Sequence, residues 1–277
     1  MSAAHVVAIA NLKGGTGKTT TTIGLAHEAA SRGARVLTID IDGQRNASGW
    51  LTGRSRDDWY DLTIADVLDT TQPTKSRPSL ADVTVPSRRD GIDVVPAASV
   101  GEMTAIGTVL DQAKGREFVM RGAIDKVVND YDLILIDCPP DMSVVTLNAH
   151  VAATTGVLLV AAPAEGAYGG VRDVVAELDE TNDEDDGLGK YLGGDIGIIG
   201  MLINDYDRRI GRQTEYLQRY ERLAEALDIP ILGEPIPHLA FINAAAEVGM
   251  GMDELTDARA AFVRAQYAAV IDRLDKE

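Results

Sequence analysis

Residues 13–20 read KGGTGKTT and follow the apolar run VVAIA at residues 6–10. Three glycines let backbone N–H groups point inward without side-chain clash, and a helix that begins after them adds a favourable dipole at its N-terminus. Lys18 would then reach the β- and γ-phosphates of a nucleotide, and the hydroxyl of Thr19 would bind Mg²⁺. The spacing predicts a nucleotide phosphate site; the alternative is a turn that only connects a strand to a helix.

A second lysine distinguishes this motif from the ordinary P-loop pattern G-x-x-x-x-G-K-[ST]. Leu12 stands where that pattern has glycine, and Lys13 follows it. Lys13 precedes Lys18 by five residues, so its charge could face the same phosphates or those of a second subunit. Taken alone, Lys13 could also be a solvated loop residue.

Acids follow two other apolar segments. Residues 133–137 read LILID and end in Asp137, whereas residues 38–42 read TIDID, so that Asp40 and Asp42 point to the same side of an extended segment. We interpret Asp137 as the acid that binds Mg²⁺ directly or through water, and Asp42 as a residue that orients the attacking water or joins the Mg²⁺ shell. Asp40 is interpreted as structural. The alternative for all three is a capping or turn-forming acid.

The elements that must position these residues alternate along the chain. Near-continuous Val, Ile and Leu strands separated by helices predict an α/β fold: a single doubly wound, mostly parallel sheet flanked by helices. Ligands of such sheets bind at the carboxyl ends of the strands. Without an internal repeat or a long linker, residues 1–277 are predicted to form a single domain. The predicted strands are 5–10, 35–40, 92–96, 133–137, 157–161, 196–203 and 231–235, and the predicted helices are 19–31, 64–68, 101–110, 117–129, 142–153, 171–180, 213–227 and 258–274.

Composition excludes several classes of protein. The chain has 277 residues, a formal net charge of −17 and one cysteine, Cys138, which excludes an internal disulfide and is expected to be buried rather than nucleophilic. No long apolar run predicts a membrane span, and the first predicted strand follows the start so closely that we expect neither a secretory signal nor an N-terminal helix-turn-helix. The acidic surface is typical of a solubilising coat or of adaptation to a salt-rich cytoplasm. Because this charge repels DNA, DNA binding would need a local arginine patch.

Together, KGGTGKTT at residues 13–20, DIDGQRN at residues 40–46 and IDCPP at residues 136–140 resemble the ParA/Soj partition ATPases of the deviant Walker-A group, which includes MinD. The resemblance runs in order over nearly the whole chain and continues at Asn204 and at EPIP, residues 234–237. It implies a P-loop NTPase fold of the deviant Walker-A type and a Mg²⁺-dependent ATPase.

The resemblance also implies a role for each motif residue. Lys13 would cross a nucleotide-sandwich homodimer to the partner's phosphates, Lys18 would be the ordinary P-loop lysine, and Asp42 would serve hydrolysis. Thr19, Asp42 and Asp137 form the predicted Mg²⁺ set. The predicted ATP-binding residues are Lys13, Gly14, Gly15, Thr16, Gly17, Lys18, Thr19, Thr20, Asn204, Pro237 and Leu239, the last three at the adenine.

Some positions depart from the family pattern. Gly43 and Arg45 stand where the family has the proline and glycine of D-P-Q-G-N, and His238 and Leu239 stand where it has arginine and asparagine. The family's arginine and asparagine contacts to adenine are therefore missing here. Residues 163–170, PAEGAYGG, occupy the second switch region and match loosely.

The resemblance implies an ATPase for chromosome or plasmid partition in the cytoplasm, at the nucleoid. ATP would build a dimer that binds DNA without sequence preference, and a ParB-like partner would stimulate hydrolysis. Three arginines of the predicted DNA patch fall at spacings of seven and three and can share one helix face; the alternative is a solvated face with ion pairs to Glu215 and Glu221. The whole patch is Arg208, Arg209, Arg212, Arg219 and Arg222.

Three alternatives come from the same superfamily. MinD-like membrane positioning needs a basic amphipathic C-terminal helix, whereas residues 269–277, AVIDRLDKE, are acidic, so no membrane partner is expected. A relative of the nitrogenase iron protein would need two cysteines in each subunit. ParA-like positioning of a non-DNA cargo stays open, because a partner reads the cargo.

Overall fold

A computed structural model describes residues 3–55, 60–238 and 240–276. Its strands form one sheet in the order β3-β4-β2-β5-β1-β6-β7, and every neighbouring pair is parallel except the antiparallel pair β3–β4. The predicted fold class is therefore confirmed. The strands are β1 (His5–Ala10), β2 (Val36–Asp40), β3 (Val85–Pro86), β4 (Ile92–Val95), β5 (Leu133–Asp137), β6 (Gly156–Ala161) and β7 (Ile198–Ile203).

Helices cover both faces of the sheet, because the side chains of each strand alternate between two apolar layers. In β1, Val6 and Ala8 face one layer and Val7 and Ile9 face the other. The helices are α1 (Lys18–Ser31), α2 (Asn46–Thr52), α3 (Ile64–Leu68), α4 (Leu80–Val83), α5 (Val100–Asp111), α6 (Val119–Ile124), α7 (Val144–Ala152), α8 (Glu165–Asn182), α9 (Gly189–Leu192), α10 (Gly211–Ala226), α11 (Ala240–Val248) and α12 (Ala258–Leu274). Helices α1, α2, α11 and α12 cover one face, and α3 to α10 cover the other.

The sheet register brings the acids of the sequence motifs together. Asp40 at the end of β2 pairs with Asp137 at the end of β5, and Ile9 of β1 pairs with the same Asp137. Since β1 leads directly into residues 13–17, the glycine-rich loop and both strand-end acids lie at one edge of the sheet.

Three predicted elements differ clearly from the structure, and one of them is the predicted helix 117–129, which ends at Ile124. Residues 231–235 form no strand but only a bridge between Ile231 and Met201, because the chain turns away at Gly233, which has a φ of +70°. Helix α8 begins at Glu165 rather than at residue 171, so residues 165–170 of the segment that resembles the second switch region are helical. Its glycines are packing positions, as the functional site shows.

Helix α12 packs along α1. A Cβ atom at Gly24 of α1 would lie 2.2 Å from the ring of Tyr267, so the glycine admits the aromatic ring, which is 2% exposed. Val270 and Leu274 of α12 are buried in the same layer. Among the described residues, no helix has both the length and the apolar character needed to cross a bilayer.

A buried histidine of α1 makes stability depend on pH. His27 is 3% exposed, and burial, followed by the charge of Arg89, lowers its pKa from 6.5 to about 4. Arg89 is held beside it by a bidentate ion pair with Asp253. Between about pH 4 and pH 6.5, His27 is neutral in the folded protein but protonated in the unfolded chain. The unfolded state therefore binds more protons than the folded state over this pH range.

We therefore expect acidification from pH 7 to pH 4 to remove about 3 kcal/mol of unfolding free energy through His27 alone. Urea unfolding across this range should show a shallower pH dependence for His27→Gln than for the wild type, since glutamine does not titrate. Parallel curves for the two proteins would contradict the assignment.

Candidate functional site

The loop between β1 and α1 is a cradle of backbone N–H groups. Gly15 and Gly17 have φ values of +78° and +91°, a left-handed conformation that favours glycine. A Cβ atom at Gly17 would also lie 2.6 Å from Nδ2 of Asn204. Both conditions explain why the motif needs glycine here. The first turn of α1 begins at Lys18 and points its N-terminus into the cradle.

Lys18 lies folded over this loop. Its side chain is largely buried, and its Nζ donates to the carbonyl oxygens of Asn11 at 2.9 Å and of Lys13 at 3.3 Å. Burial lowers the pKa of Lys18, whereas the charge of Asp137 opposes that shift. The amine is therefore held inside the cradle beside the strand-end acid.

Asp137 is fully buried and bound by two threonines of α1. Thr19 Oγ1 donates to Oδ2 at 2.8 Å, and Thr22 Oγ1 donates to Oδ1 at 3.0 Å. Burial raises the pKa of Asp137, and the two threonine hydrogen bonds act in the opposite direction. A hydroxyl and a carboxylate in contact are oxygen ligands of the kind that Mg²⁺ uses together with water and phosphate. In the described ranges, no group of three or more His, Cys, Asp or Glu side chains forms a closed metal site.

Asp40 has the structural role that the sequence indicated. Its carboxylate accepts hydrogen bonds from Ser48 N at 2.8 Å, Ser48 Oγ at 2.6 Å and Asp42 N at 3.0 Å. Burial raises the pKa of Asp40, and the neighbouring charge of Asp137 adds to the effect. Asp40 therefore anchors the segment that carries Asp42, whose Oδ1 accepts from Gln44 N at 2.9 Å.

The two departures from the family pattern around Asp42 have local structural counterparts. Arg45 adopts a φ of +56° before α2, a conformation in which glycine is more favourable. A Cβ atom at Gly43 would lie 2.6 Å from Cα of Val100, the first residue of α5, so a side chain at residue 43 would displace that contact.

Asn11 ties the start of the loop to β6 and α8. Its Oδ1 accepts from Lys13 N at 2.8 Å, while its Nδ2 donates to the carbonyl oxygens of Val160 at 2.8 Å and Ala167 at 3.1 Å. Sequence reasoning missed Asn11, because an asparagine after a strand has no specific signature.

Helix α8 lies directly against Lys13. A Cβ atom at Gly166 would lie 3.3 Å from Cδ and Cε of Lys13, and one at Gly170 would lie 2.3 Å from Oδ1 of Asn11. Lys13 is exposed, and none of the described residues accepts a hydrogen bond from its Nζ or pairs with it. The aliphatic part of the side chain thus rests on a glycine face while its charge remains available.

A cavity opens beside the cradle. Asn204 Nδ2 donates to Thr16 O at 3.2 Å and to Thr21 Oγ1 at 3.1 Å, whereas its Oδ1 is buried without a hydrogen-bond partner in the part of the chain that the structure describes. Pro237 lines the same cavity, and His238 contacts the carboxylate of Asp205 at its edge. The predicted contact Leu239 lies outside the described residues. The remaining lining includes Gly15, Thr16, Gly17, Thr20, Ile236, Ile242 and Tyr267.

The predicted DNA patch surrounds the start of α10, and its arginines differ in their partners. Arg209 pairs with Asp207 at 2.6 Å, and Arg219 pairs with Glu165 of α8 at 3.0 Å rather than with Glu215 or Glu221. Tyr216 accepts a hydrogen bond from Arg212 at 3.5 Å and lies under both Arg212 and Arg219. Arg222 donates to the carbonyl oxygen of Gln218, and Arg208 is exposed.

Comparison with known proteins decides the family. The AAA_31 family, an AAA domain, matches residues 4–188. The chain belongs to this family. The chromosome partitioning protein ParA of Myxococcus xanthus is 33% identical over 205 residues, which cover 74% of this chain and 66% of that protein. The resemblance to the ParA/MinD group is thereby confirmed.

Two solved structures have the same architecture as this AAA_31 chain. Cobyrinic acid a,c-diamide synthase from Mycobacterium smegmatis, with bound ADP and magnesium, superposes with a TM-score of 0.71 at 27% identity over 88% of this chain and 91% of that chain. McdA from Cyanothece, an aspartate-to-alanine variant in complex with ATP, superposes with a TM-score of 0.81 at 19% identity over 99% and 98%. The McdA likeness concerns the fold alone.

Proposed function

We propose that this chain is a ParA-like partition ATPase that binds ATP with Mg²⁺ and dimerises in the ATP state. The observation that carries the proposal is Lys13, an exposed lysine that pairs with none of the described residues, at the start of a glycine cradle that already contains Lys18. Lys18 already serves the nucleotide of its own subunit. The charge of Lys13 therefore suits the nucleotide of a second subunit. We also propose that residues 1–277 act as one domain, since the described strands join one sheet.

The residues of the site fit ATP. A Cβ atom at residue 17 would lie 2.6 Å from Nδ2 of Asn204. Glycine at this position therefore keeps the loop open for a phosphate chain beside Asn204. Asn204 lines the cavity and is held there by hydrogen bonds from Nδ2 to Thr16 and Thr21, which supports its proposed place beside the adenine. ADP with magnesium in the synthase from Mycobacterium smegmatis supports the same assignment.

ATP supplies a γ-phosphoryl group for transfer to water, and Mg²⁺ offsets its charge. Lys18 would contact the phosphates from within the cradle, while Thr19 and Asp137 are the oxygen ligands that would hold the metal. Asp42 would orient the attacking water, and the Asp40–Ser48 hydrogen bonds keep the segment of Asp42 in place. Lys13 would neutralise charge on the partner subunit's nucleotide.

The proposed dimer binds DNA without sequence preference and is released when a ParB-like partner stimulates hydrolysis, which would place the protein at the nucleoid in the cytoplasm. The exposed arginines around α10 are the proposed DNA contacts. A membrane-positioning role is disfavoured, because the apolar residues Val270 and Leu274 of α12 are buried in the protein.

Gel retardation of a random-sequence duplex tests the proposal. We expect retardation with ATP and Mg²⁺ but not with ADP, because only the paired subunits present both arginine patches to one duplex. Arg208→Glu with Arg222→Glu should weaken binding by at least about tenfold at about 0.1 M salt. The ion pairs near α10 in the described part of the chain involve Arg209 and Arg219 instead of these two exposed arginines.

The matched control is Lys75→Glu with Lys126→Glu, which changes the net charge equally at two exposed lysines away from α10. This control should bind like the wild type. If both double variants lose DNA affinity equally, the effect comes from the net charge of the protein. Equal retardation with ATP and with ADP would refute the ATP-dependent switch in DNA binding.

A further inference from the structure

A cavity lies between α6 and the segment that joins α3 to α4, and we call it the α6 cavity. Its volume is about 260 Å³, which is close to the lower end of the range for small-molecule sites. Apolar side chains of Val67, Phe118 and Val119 line one part of it, and the two cations Arg77 and Lys126 line another. The α6 cavity therefore combines an apolar surface with positive charge.

The described residues that line the α6 cavity include neither aspartate nor glutamate. This composition is unusual for a chain in which 43 Asp and Glu residues outnumber 26 Lys and Arg residues. The nearby acids are engaged in local turns: Asp69 accepts from Thr71 Oγ1 at 2.6 Å, and Asp82 accepts from Ser79 Oγ at 2.7 Å. In the described part of the chain, no carboxylate forms an ion pair with either cation of the cavity.

Arg77 is held in place but its charge is not neutralised. Its backbone N–H donates to the carbonyl oxygen of Pro73 at 3.2 Å, and its Nη2 donates to Thr74 Oγ1 at 3.0 Å. Its Nε is enclosed by the protein without a hydrogen-bond partner among the described residues. A guanidinium has five N–H donors, so most of them lack an acceptor here. An anion in the cavity would supply acceptors to the Nη atoms and balance the charge.

A glycine inside α6 keeps this space open. A Cβ atom added at Gly122 would meet no other atom within 4 Å, so close packing does not require glycine at this position. Glycine is also among the least favourable residues in a helix. Because Gly122 lines the α6 cavity, a larger side chain at this position would take up the space that a ligand would need.

We propose that the α6 cavity binds a small organic anion, with its carboxylate at Arg77 and Lys126 and its apolar body against Val67 and Val119. A planar guanidinium matches the two oxygens of a carboxylate, and the lysine adds a second positive charge. The apolar surface favours an organic anion over an inorganic one. Among the described residues, this cavity shares no lining residue with the cavity beside the glycine-rich loop, so the inference goes beyond the proposed function.

Isothermal titration calorimetry with octanoate, in the absence of nucleotide, tests the proposal. We expect the wild type to bind octanoate with a dissociation constant of about 1 mM or tighter. Octanol, which lacks the charge, and acetate, which lacks the apolar chain, should each bind at least about tenfold more weakly. Octanol that binds as tightly as octanoate, or a wild type that binds no octanoate at this affinity, would overturn the proposal.

Two variants locate the binding site. Arg77→Gln should weaken octanoate binding about tenfold, because it removes the charged partner of the carboxylate. Gly122→Leu should weaken it at least about tenfold by filling the cavity, and the open space around residue 122 leaves room for the leucine in the folded helix. Circular dichroism checks that both variants are folded.

Matched controls carry the same changes at exposed positions elsewhere. Arg172→Gln removes an arginine of α8, and Gly101→Leu adds a leucine to α5, where a Cβ atom likewise meets nothing within 4 Å. Both controls should bind octanoate within about twofold of the wild type. Equal affinity of a cavity variant and its control would refute binding in the α6 cavity. Because no nucleotide is present, failure of the ATPase assignment would not produce this result.

Discussion

Asp42→Ala is expected to hydrolyse ATP at least about 100-fold more slowly than the wild type while still forming an ATP-dependent dimer. Asp42 lies at the mouth of the site, and its backbone N–H donates a hydrogen bond to the carboxylate of Asp40. Its removal takes away the group that would orient the water but leaves the Thr19–Asp137 hydrogen bond and the hydrogen bonds of Lys18 to the loop carbonyls unchanged. Single-turnover hydrolysis and size-exclusion chromatography with ATP measure the two properties separately.

The control is Asp195→Ala, which removes an exposed acid outside the site and should leave both properties unchanged. A dimer that forms in Asp42→Ala and persists longer than the wild-type dimer is the result expected of a trapped pre-hydrolysis state. Turnover within a few fold of the wild type would show that another group orients the water, and loss of ATP binding would show that Asp42 holds the nucleotide or its metal.

Lys13→Ala is expected to remain monomeric with ATP and Mg²⁺ and to lose DNA retardation. In the proposed dimer this amine faces the partner's phosphates, and removing one member of a desolvated charge pair costs about 2–5 kcal/mol. The dimer dissociation constant should therefore rise by at least about 30-fold. ATP binding to the monomer should survive, because Lys18 and the glycine cradle are unchanged.

Lys114→Ala serves as the matched control, since it removes an exposed lysine elsewhere on the surface. Sedimentation velocity at several protein concentrations and binding of a fluorescent ATP analogue distinguish the two effects. A Lys13→Ala protein that dimerises like Lys114→Ala would contradict the role of Lys13 across the dimer. Loss of analogue binding by the monomer would instead mean that Lys13 serves its own nucleotide.

The strands around the site were predictable because their apolar patterns are continuous and end abruptly. The pattern predicted β1 and β5 to the residue, and it placed Asp137 at a carboxyl end next to the glycine-rich loop. The prediction was wrong at residues 231–235, where an apolar run has the composition of a strand but bends at Gly233. Burial alone does not distinguish an extended coil from a strand, because both can pack the same side chains.

Residues 163–170 show why local sequence was insufficient at α8. Four glycine and proline residues in eight positions indicate a loop by intrinsic propensity, yet residues 165–170 are helical. Gly166 and Gly170 are one turn apart, and their missing side chains make room for Lys13 and Asn11. Tertiary contact with the glycine-rich loop therefore overrides the low helix propensity of these residues. Such a contact joins two distant segments, so neither segment alone predicts it.

The amino-acid sequence by itself determined the fold class and the family, and it predicted the phosphate-site residues, because hydrophobic period and glycine spacing act over a few neighbouring residues. Only the tertiary structure decided that Asp40 anchors the segment of Asp42, that Asn204 bonds to Thr16 and Thr21 beside the glycine-rich loop, and that Arg219 pairs with Glu165. These features join residues from different elements, so they depend on how the sheet and helices pack. The physical reason is that hydrogen bonds and ion pairs need distances that only the folded chain sets.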